Sequence, residues 1–559
     1  MSLLLSLALL LASSTSEVWI EAEDAQLIGA EIGDTREGFS GTGYVTGLDE
    51  PEDTLRFDFE AAEGLYEVRI AVAGSGAFAQ YAAWIDGREV SGTFVRLSAA
   101  FTERSLGEQF LTGEQHRIAF QANVDVDYVR LVPTAYDPPV PPPPQLSDPE
   151  ATAAARSLFA FLLDQYGQKV LSGQQELREV DYIRAAIGKE PAIAGGDLIE
   201  YSPSRWERGA RPNKQSGYAS VEDLIAWAQE EGPGEGIITL MWHWNAPTDL
   251  IDSASQPWWR GFYTEATTFN FADALAEPTS ENYQLLLRDI DAIADQLRKF
   301  DEADIPVLWR PLHEAEGTWF WWGARGPEPF KELWQLLYDR LVNVHGLHHL
   351  IWVFTHENSV AWYPGDEFVD IVGRDIYTDD PTSTLRSYWT SLQQEFGGEK
   401  LVALSESGTL PDPGPSTAFG VWWSWFNIWT GGFIRDLDEE YVRHVYESEH
   451  VLTREELPNW RAYALDVEVE VPEVAPDLEI FPNPTPANAM IHSRITGTEE
   501  VRVEVFDLMG RRMRRWDLGT LPPGDLRHTV DLFGLAAGLY LVRLTAGDVS
   551  AGRTLILLP

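Results

Sequence analysis

The chain has 559 residues, too many for one domain, and its 44% hydrophobic content is enough for several packed cores. Its 88 acidic against 41 basic residues give a net charge of −47, a field that repels phosphate. Nucleic acid and anionic membrane surfaces are thereby poor partners, while a neutral polymer is compatible. There is no cysteine, which removes disulfides and thiolate metal sites together.

Residues 1–16 read as a signal peptide. Leu3 to Leu11 form an apolar run and Ala12-Ser13-Ser14-Thr15-Ser16 a small-residue cleavage zone, although a basic start is missing. The run is too short to span a bilayer, and no later segment is long enough. Residues 17–133 alternate apolar and polar positions, as in Leu55 to Phe59, Tyr66 to Ile70 and Asp127 to Leu131, with Gly-rich turns between them. That pattern predicts a β-sandwich. Residues 134–148 contain Asp137-Pro138-Pro139-Val140-Pro141-Pro142-Pro143-Pro144, a polyproline spacer expected to hold domains semi-rigidly apart.

From 149 to 465 the rhythm changes. Apolar runs occur at Val170-Leu171, Ala192 to Ile199, Gly236 to Trp244, Pro306 to Leu312, His349 to Phe354, Val369 to Tyr377, Leu401 to Leu404 and Phe419 to Trp429. Segments of helical period lie between most of them, such as Asn282 to Phe300 and Phe330 to Val344. Eight such β/α units predict a (β/α)8 TIM barrel. Residues 466–476 form an acidic linker, and 477–559 alternate again, in Val501 to Phe506 and Leu539 to Leu544, predicting a small C-terminal β-sandwich.

Two barrel runs lead into a glutamate: Trp309-Arg310-Pro311-Leu312-His313-Glu314 and Ala403-Leu404-Ser405-Glu406-Ser407-Gly408. A carboxylate at the C-terminal end of a barrel strand points into the barrel mouth. Two placed this way are the equipment for cleaving a glycosidic bond. Other run ends carry His243, Asp375, Tyr377 and Trp429. Sugar rings offer apolar C–H faces to Trp and hydroxyl edges to charged groups, so the 22 Trp favour a carbohydrate cleft. Trp319-Phe320-Trp321-Trp322, in a Gly-flanked loop, reads as part of it rather than as core filling. A catalytic metal is not expected. His243, His313 and His356 lack a second His at helical spacing, while His345 and His349 precede a strand instead of ending one. Phosphate-binding Gly motifs and a Gly-x-Ser-x-Gly elbow are also missing.

At these residues the middle domain resembles the β-mannanases of glycoside hydrolase family 26, from Leu171-Ser172-Gly173-Gln174-Gln175-Glu176 through the Trp of the eighth run. The resemblance implies a retaining endo-β-1,4-mannanase acting on mannan, galactomannan or glucomannan without a cofactor, with Glu314 as acid/base and Glu406 as nucleophile. It implies that Arg310 and Tyr377 hydrogen-bond the nucleophile, that His243 and His313 line the −1 sugar site, and that Trp319 is the +1 platform. Asp375 would be the family's sixth-strand aspartate in the substrate site. Trp423-Ser424-Trp425-Phe426-Asn427-Ile428-Trp429 resembles a family pattern that makes Trp429 the sugar-stacking residue at −1, with Trp425 as the alternative.

The N-terminal domain resembles carbohydrate-binding modules of families 35 and 6 at Glu21-Ala22-Glu23 and Asp127-Tyr128-Val129. That implies a structural calcium held by Glu21, Glu23 and Asp127, the alternative being three solvated carboxylates. Phe481-Pro482-Asn483-Pro484, then Val505 to Arg511, then Gly538 to Arg543 resemble the C-terminal sorting domain of type IX secretion substrates. Secretion machinery would then be a partner, and the enzyme would be released or attached to the cell surface. The expected form is a monomer whose substrate partner is β-mannan. The same barrel acting on mixed-linkage glucan or xylan, and a non-catalytic carbohydrate-binding protein, are the alternatives.

Overall fold

The computed structural model describes residues 16–464 and 478–558, apart from 51, 77, 114, 216, 231–234, 381–382, 496–498, 508–511, 523 and 548. The expected signal peptide (but for Ser16), the 466–476 linker and residues 508–511 of the sorting motif lie outside the described residues. The chain divides into two compact units, residues 1–463 and 464–559.

The middle of the first unit is a parallel barrel of β1 (Val170–Gln175), β2 (Ile193–Asp197), β3 (Ile237–Met241), β4 (Val307–Arg310), β5 (Leu350–Thr355), β6 (Ile371–Ile376), β7 (Leu401–Ser407) and β8 (Trp425–Ile428). Each strand pairs with the next, and β1 pairs with both β8 and β2 to close the ring. All eight apolar runs therefore become strands. They read as runs because both faces are covered: every residue of β1, β4, β5 and β7 is buried. The longest run, Phe419 to Trp429, supplies only a four-residue strand at its end. The helix Glu281–Glu302 starts where the Ser280 side chain accepts from the Tyr283 N–H and buries Leu286, Ile290, Ile293, Leu297 and Phe300 at helical spacing. The second predicted helix, Pro327–Tyr338, widens into a π-helical turn over Asp339–Val344.

Residues before the barrel form two antiparallel sheets. One is built on Gly64–Ala73, Thr102–Leu111 and Asp125–Pro133, the other on Thr54–Glu60, Phe78–Ile85 and Gln115–Ala122. Leu55, Phe57, Val68, Ile70, Phe120, Val129 and Leu131 meet between the sheets. The proline-rich segment does not hold this sandwich away from the barrel. The Ser147 N–H donates to Asp370 Oδ1 at 2.5 Å, and His348 meets Asp148 at 2.8 Å. Glu108 of the sandwich pairs with Arg386 of the barrel at 2.7 Å, and Tyr136 donates to the same carboxylate. A polyproline stretch has no internal hydrogen bonds, so its rings and carbonyls are free to pack. Gly167 admits them: it sits at φ +77°, and a Cβ there would come within 2.9 Å of Pro138.

In the second unit, Glu479–Phe481, Asn488–Ile495 and Gly524–Asp531 make one sheet. Arg512–Leu521, Glu499–Asp507, Gly538–Ala546 and Val549–Leu557 make the other. Val501, Val503, Val542, Leu544, Ile491 and Val530 form its core. Among the described residues no helix is long and apolar enough to cross a membrane.

Candidate active site

The ends of β4, β6 and β7 meet at one guanidinium. Arg310, only 2% exposed, donates to Glu406 Oε2 and to Asp375 Oδ2, each at 2.5 Å. Tyr377 Oη donates to the other oxygen of Glu406 at 2.7 Å, and Ser405 Oγ donates to Asp375 Oδ1 at 2.7 Å. The Arg fork thus bridges two carboxylates in fixed geometry, as only a planar guanidinium can. Asp375 faces Arg310 and Ser405, behind Glu406. Burial first, and then the Glu406 charge, push Asp375 up to about 7 against the pull of Arg310.

Glu314 follows β4 on a turn in which both Leu312 (φ 51°) and Glu314 (φ 53°) are left-handed. Such φ values are uncommon away from glycine, and they swing the carboxylate into the mouth instead of along the strand. Its Oε2 accepts from Trp319 Nε1 at 3.0 Å. Burial, followed by the charges of Glu406 and Asp375, pushes Glu314 up to about 9. Oxygens of Glu314, Asp375 and Glu406 all lie within 4.8 Å of one another.

The cleft, a cavity of about 550 Å³, is lined by His243, Tyr263, Glu314, Trp319, Tyr377, Glu406, Trp429 and their neighbours. Trp319 is 44% exposed at its rim. Trp429 is held through its backbone, donating to the Ser407 carbonyl at 2.8 Å, while Trp425 is buried in the barrel wall. His313 is placed differently from the expectation. It is 1% exposed and stands behind His243, Nε2 to Nε2 at 3.2 Å, and packs against Phe320, so it backs the cleft and does not line it. Burial holds it neutral, far below the usual histidine range. Two of the three Trp in the loop after Glu314 are also core. Trp321 and Trp322 are buried and donate to the carbonyls of Trp244 and His313, so they support the loop and do not line the cleft.

Sequence reasoning missed Asp197 and the far wall of the cleft. Asp197 ends β2 and accepts from His243 at both Nδ1 (2.7 Å) and the backbone N–H (3.1 Å). With Nδ1 turned to Asp197, His243 presents Nε2 to His313 Nε2. The rule that found Glu314 and Glu406, a carboxylate at the end of an apolar run, also selects Asp197. Glu357, Arg374 and Tyr388 line the cavity as well.

Residues 147–456 match the model of glycosyl hydrolase family 26. The chain belongs to that family. It is 41% identical over 457 residues to a mannan endo-1,4-beta-mannosidase of Thermothelomyces thermophilus, covering 80% of this chain and 92% of the relative. It is 32% identical to mannan endo-1,4-beta-mannosidase A of a Piromyces species, over 81% of this chain and 75% of that protein. The crystal structure of a Podospora anserina GH26-CBM35 beta-(1,4)-mannanase superposes with a TM-score of 0.73 at 40% identity, covering 80% of this chain and 99% of that one. This family 26 glycoside hydrolase ends in a second match, residues 479–557, to the secretion system C-terminal sorting domain, which implies secretion or cell-surface attachment.

Proposed function

We propose that the chain hydrolyses internal β-1,4-mannosidic bonds of mannan by a retaining mechanism with Glu314 as acid/base and Glu406 as nucleophile. The observation that carries the mechanism is the approach of the two carboxylates to within 4.8 Å. Retaining enzymes place the pair about 5–5.5 Å apart, whereas inverting enzymes leave roughly 6.5–9.5 Å for a water. The mannan specificity rests on the relatives, whose names give that substrate. Glu406, oriented by Arg310 and Tyr377, attacks the anomeric carbon as protonated Glu314 gives its proton to the leaving oxygen. Glu314 then takes a proton from the water that frees the sugar. His243 and Trp429 stand where the sugar under attack would lie, and Trp319 stands beside the acid on the leaving side. Hydrolysis of manno-oligosaccharides followed by proton NMR should show the β-anomer first; initial α-anomer would overturn retention, and turnover of lichenan or xylan in preference to mannan would overturn the substrate.

The N-terminal sandwich we read as a carbohydrate-binding module with a calcium site at Glu21, Glu23 and Asp127. The three surround the turn at Ser40 to Gly43. Ser40 Oγ donates to Glu21 at 2.6 Å and to Asp127 at 3.2 Å, and the Thr42 N–H donates to Glu23 Oε1 at 2.5 Å. Glu23 Oε2 is buried without a partner, and burial, with smaller contributions from Glu21 and Glu23, pushes Asp127 up. An oxygen-only, net-negative set with an orphaned carboxylate oxygen fits a hard cation. Its oxygens do not form a single cluster as tight as that of Glu314, Asp375 and Glu406, so backbone carbonyls would complete the coordination. Chelation of the metal-loaded protein should lower its melting temperature, because a ligand of the folded state stabilises it by mass action. An unchanged melting temperature would remove calcium from this module.

A further inference from the structure

The part of the cleft wall formed by Glu357 beyond β5 and Arg374 on β6 has no part in the chemistry above. Glu314 follows β4 and Glu406 lies on β7, so a line between them divides the barrel mouth. His243 beyond β3 and Trp429 beyond β8 stand on one side of it. Glu357 beyond β5 and Arg374 on β6 stand on the other, and both line the cavity. On the proposed reading, the first side holds the sugar under attack, which leaves the second to the departing portion of the chain.

Arg374 is an unusual cation. It is 7% exposed, yet no carboxylate of the described residues lies within 4.0 Å of it. Its Nε is buried without an acceptor, and its one hydrogen bond is a long one, 3.4 Å from Nη2 to Asn358 Oδ1. The Tyr388 ring supports the guanidinium at 5.2 Å. Arg310, more deeply buried, has two ion pairs, which is the usual condition for burying this side chain. Burial pushes Arg374 below the usual arginine range.

Glu357 is its counterpart. The backbone N–H of Glu357 is fixed by Glu316 Oε1 at 2.8 Å, yet its own carboxylate receives no hydrogen bond from a described residue. Burial, and then the charge of Glu316, push it up. A guanidinium with one long hydrogen bond and a carboxylate that accepts none from a described residue open onto the same cavity. Adjacent sugar hydroxyls supply what each lacks: their oxygens accept from the guanidinium and their protons go to the carboxylate. A charge left incompletely paired in a partly buried wall is costly unless a ligand completes it.

We propose that Arg374 and Glu357 form a binding subsite for the vicinal hydroxyls of a mannosyl unit on the leaving-group side of the scissile bond. This rests on the mannanase reading and on the assignment of Glu314 and Glu406. The two residues bind substrate and touch no reacting atom.

The test compares two substrates in the full chain carrying Arg374→Met, Arg374→Lys or Glu357→Gln. One is a manno-oligosaccharide long enough to occupy the leaving-group side, the other an aryl β-mannobioside whose phenol carries no vicinal hydroxyls for the two residues to bind. Loss of a hydrogen bond to a charged group is expected to lower kcat/KM on the oligosaccharide roughly 10- to 100-fold. The loss on the aryl substrate should be at least tenfold smaller. Arg374→Lys keeps the charge without the fork and should fall between. Cleavage should also move toward bonds that leave a shorter aglycone. Equal losses on both substrates, or none on the oligosaccharide, overturn the subsite. If Arg374→Met does not fold, the nearly isosteric Glu357→Gln decides by the same comparison. A wild-type enzyme that cleaves no β-mannan would instead overturn the reading of function.

Discussion

Glu406→Ala is expected to abolish hydrolysis of every β-mannoside, whereas Glu314→Ala should fail selectively. Without Glu406 no covalent intermediate forms, a loss on the order of a millionfold where a nucleophile is removed. Nothing nearby substitutes for it: Asp375 is turned toward Arg310 and Ser405. Glu314 supplies a proton in the first step and removes one in the second, contributions of roughly 10²–10⁴-fold each on poor leaving groups. On an aryl mannoside with an acidic phenol the first step needs no acid. Glu314→Ala should then release a burst of phenol, stall as the mannosyl-enzyme, and be rescued by azide as a β-mannosyl azide. The wild-type pH profile reports the same residue. Burial, with the charges of Glu406 and Asp375, keeps Glu314 protonated up to about 9, so kcat/KM should fall above that pH and this limb should vanish in Glu314→Ala on the aryl substrate. Burst kinetics in Glu406→Ala, or none in Glu314→Ala, would reverse the roles.

The parts of this site that are visible in the sequence are those that strand periodicity places. A barrel strand buried on both faces appears as an apolar run, and its last residues must face the mouth; Arg310 and Glu406, each within its strand, follow from that, and Tyr377 stands one residue past the end of its own. What depends on the turns after the strands is not visible. His313 and Glu314 are adjacent in sequence, yet the left-handed conformations at Leu312 and Glu314 send one side chain behind His243 and the other into the cleft. Aromatic composition cannot separate exposed Trp319 from buried Trp321 and Trp322, because all three share one loop and only packing against Trp244 and His313 distinguishes them. Arg374 escapes notice for another reason. It sits where the β6–β7 register shifts, so alternation does not tell which way it points. The polyproline segment misleads because its composition reports local stiffness and is silent on what its rings pack against.

Arg310→Met should cost both activity and stability, and the stability loss should depend on pH. The substitution keeps approximate length but leaves Asp375 and Glu406 facing each other with no cation, in a site where removing one partner of a buried pair typically costs about 3–5 kcal/mol. Asp375 fixes the direction of the pH effect. Its ordinary value is 3.8 and its folded value about 7, so it contributes stability that is present below 3.8 and lost as pH rises toward 7. Arg310 is what keeps that folded value from rising further. In the variant Asp375 titrates higher, so stability continues to fall at pH values where the wild type has levelled. The difference in melting temperature between the two proteins should therefore open as pH rises through about 7. Arg310→Lys separates charge from geometry: a single ammonium can face one carboxylate well but cannot bridge both, so most of the high-pH stability should return while kcat stays low. A deficit in Arg310→Met that is the same at every pH would mean that lost packing, and not the unpaired carboxylates, accounts for it.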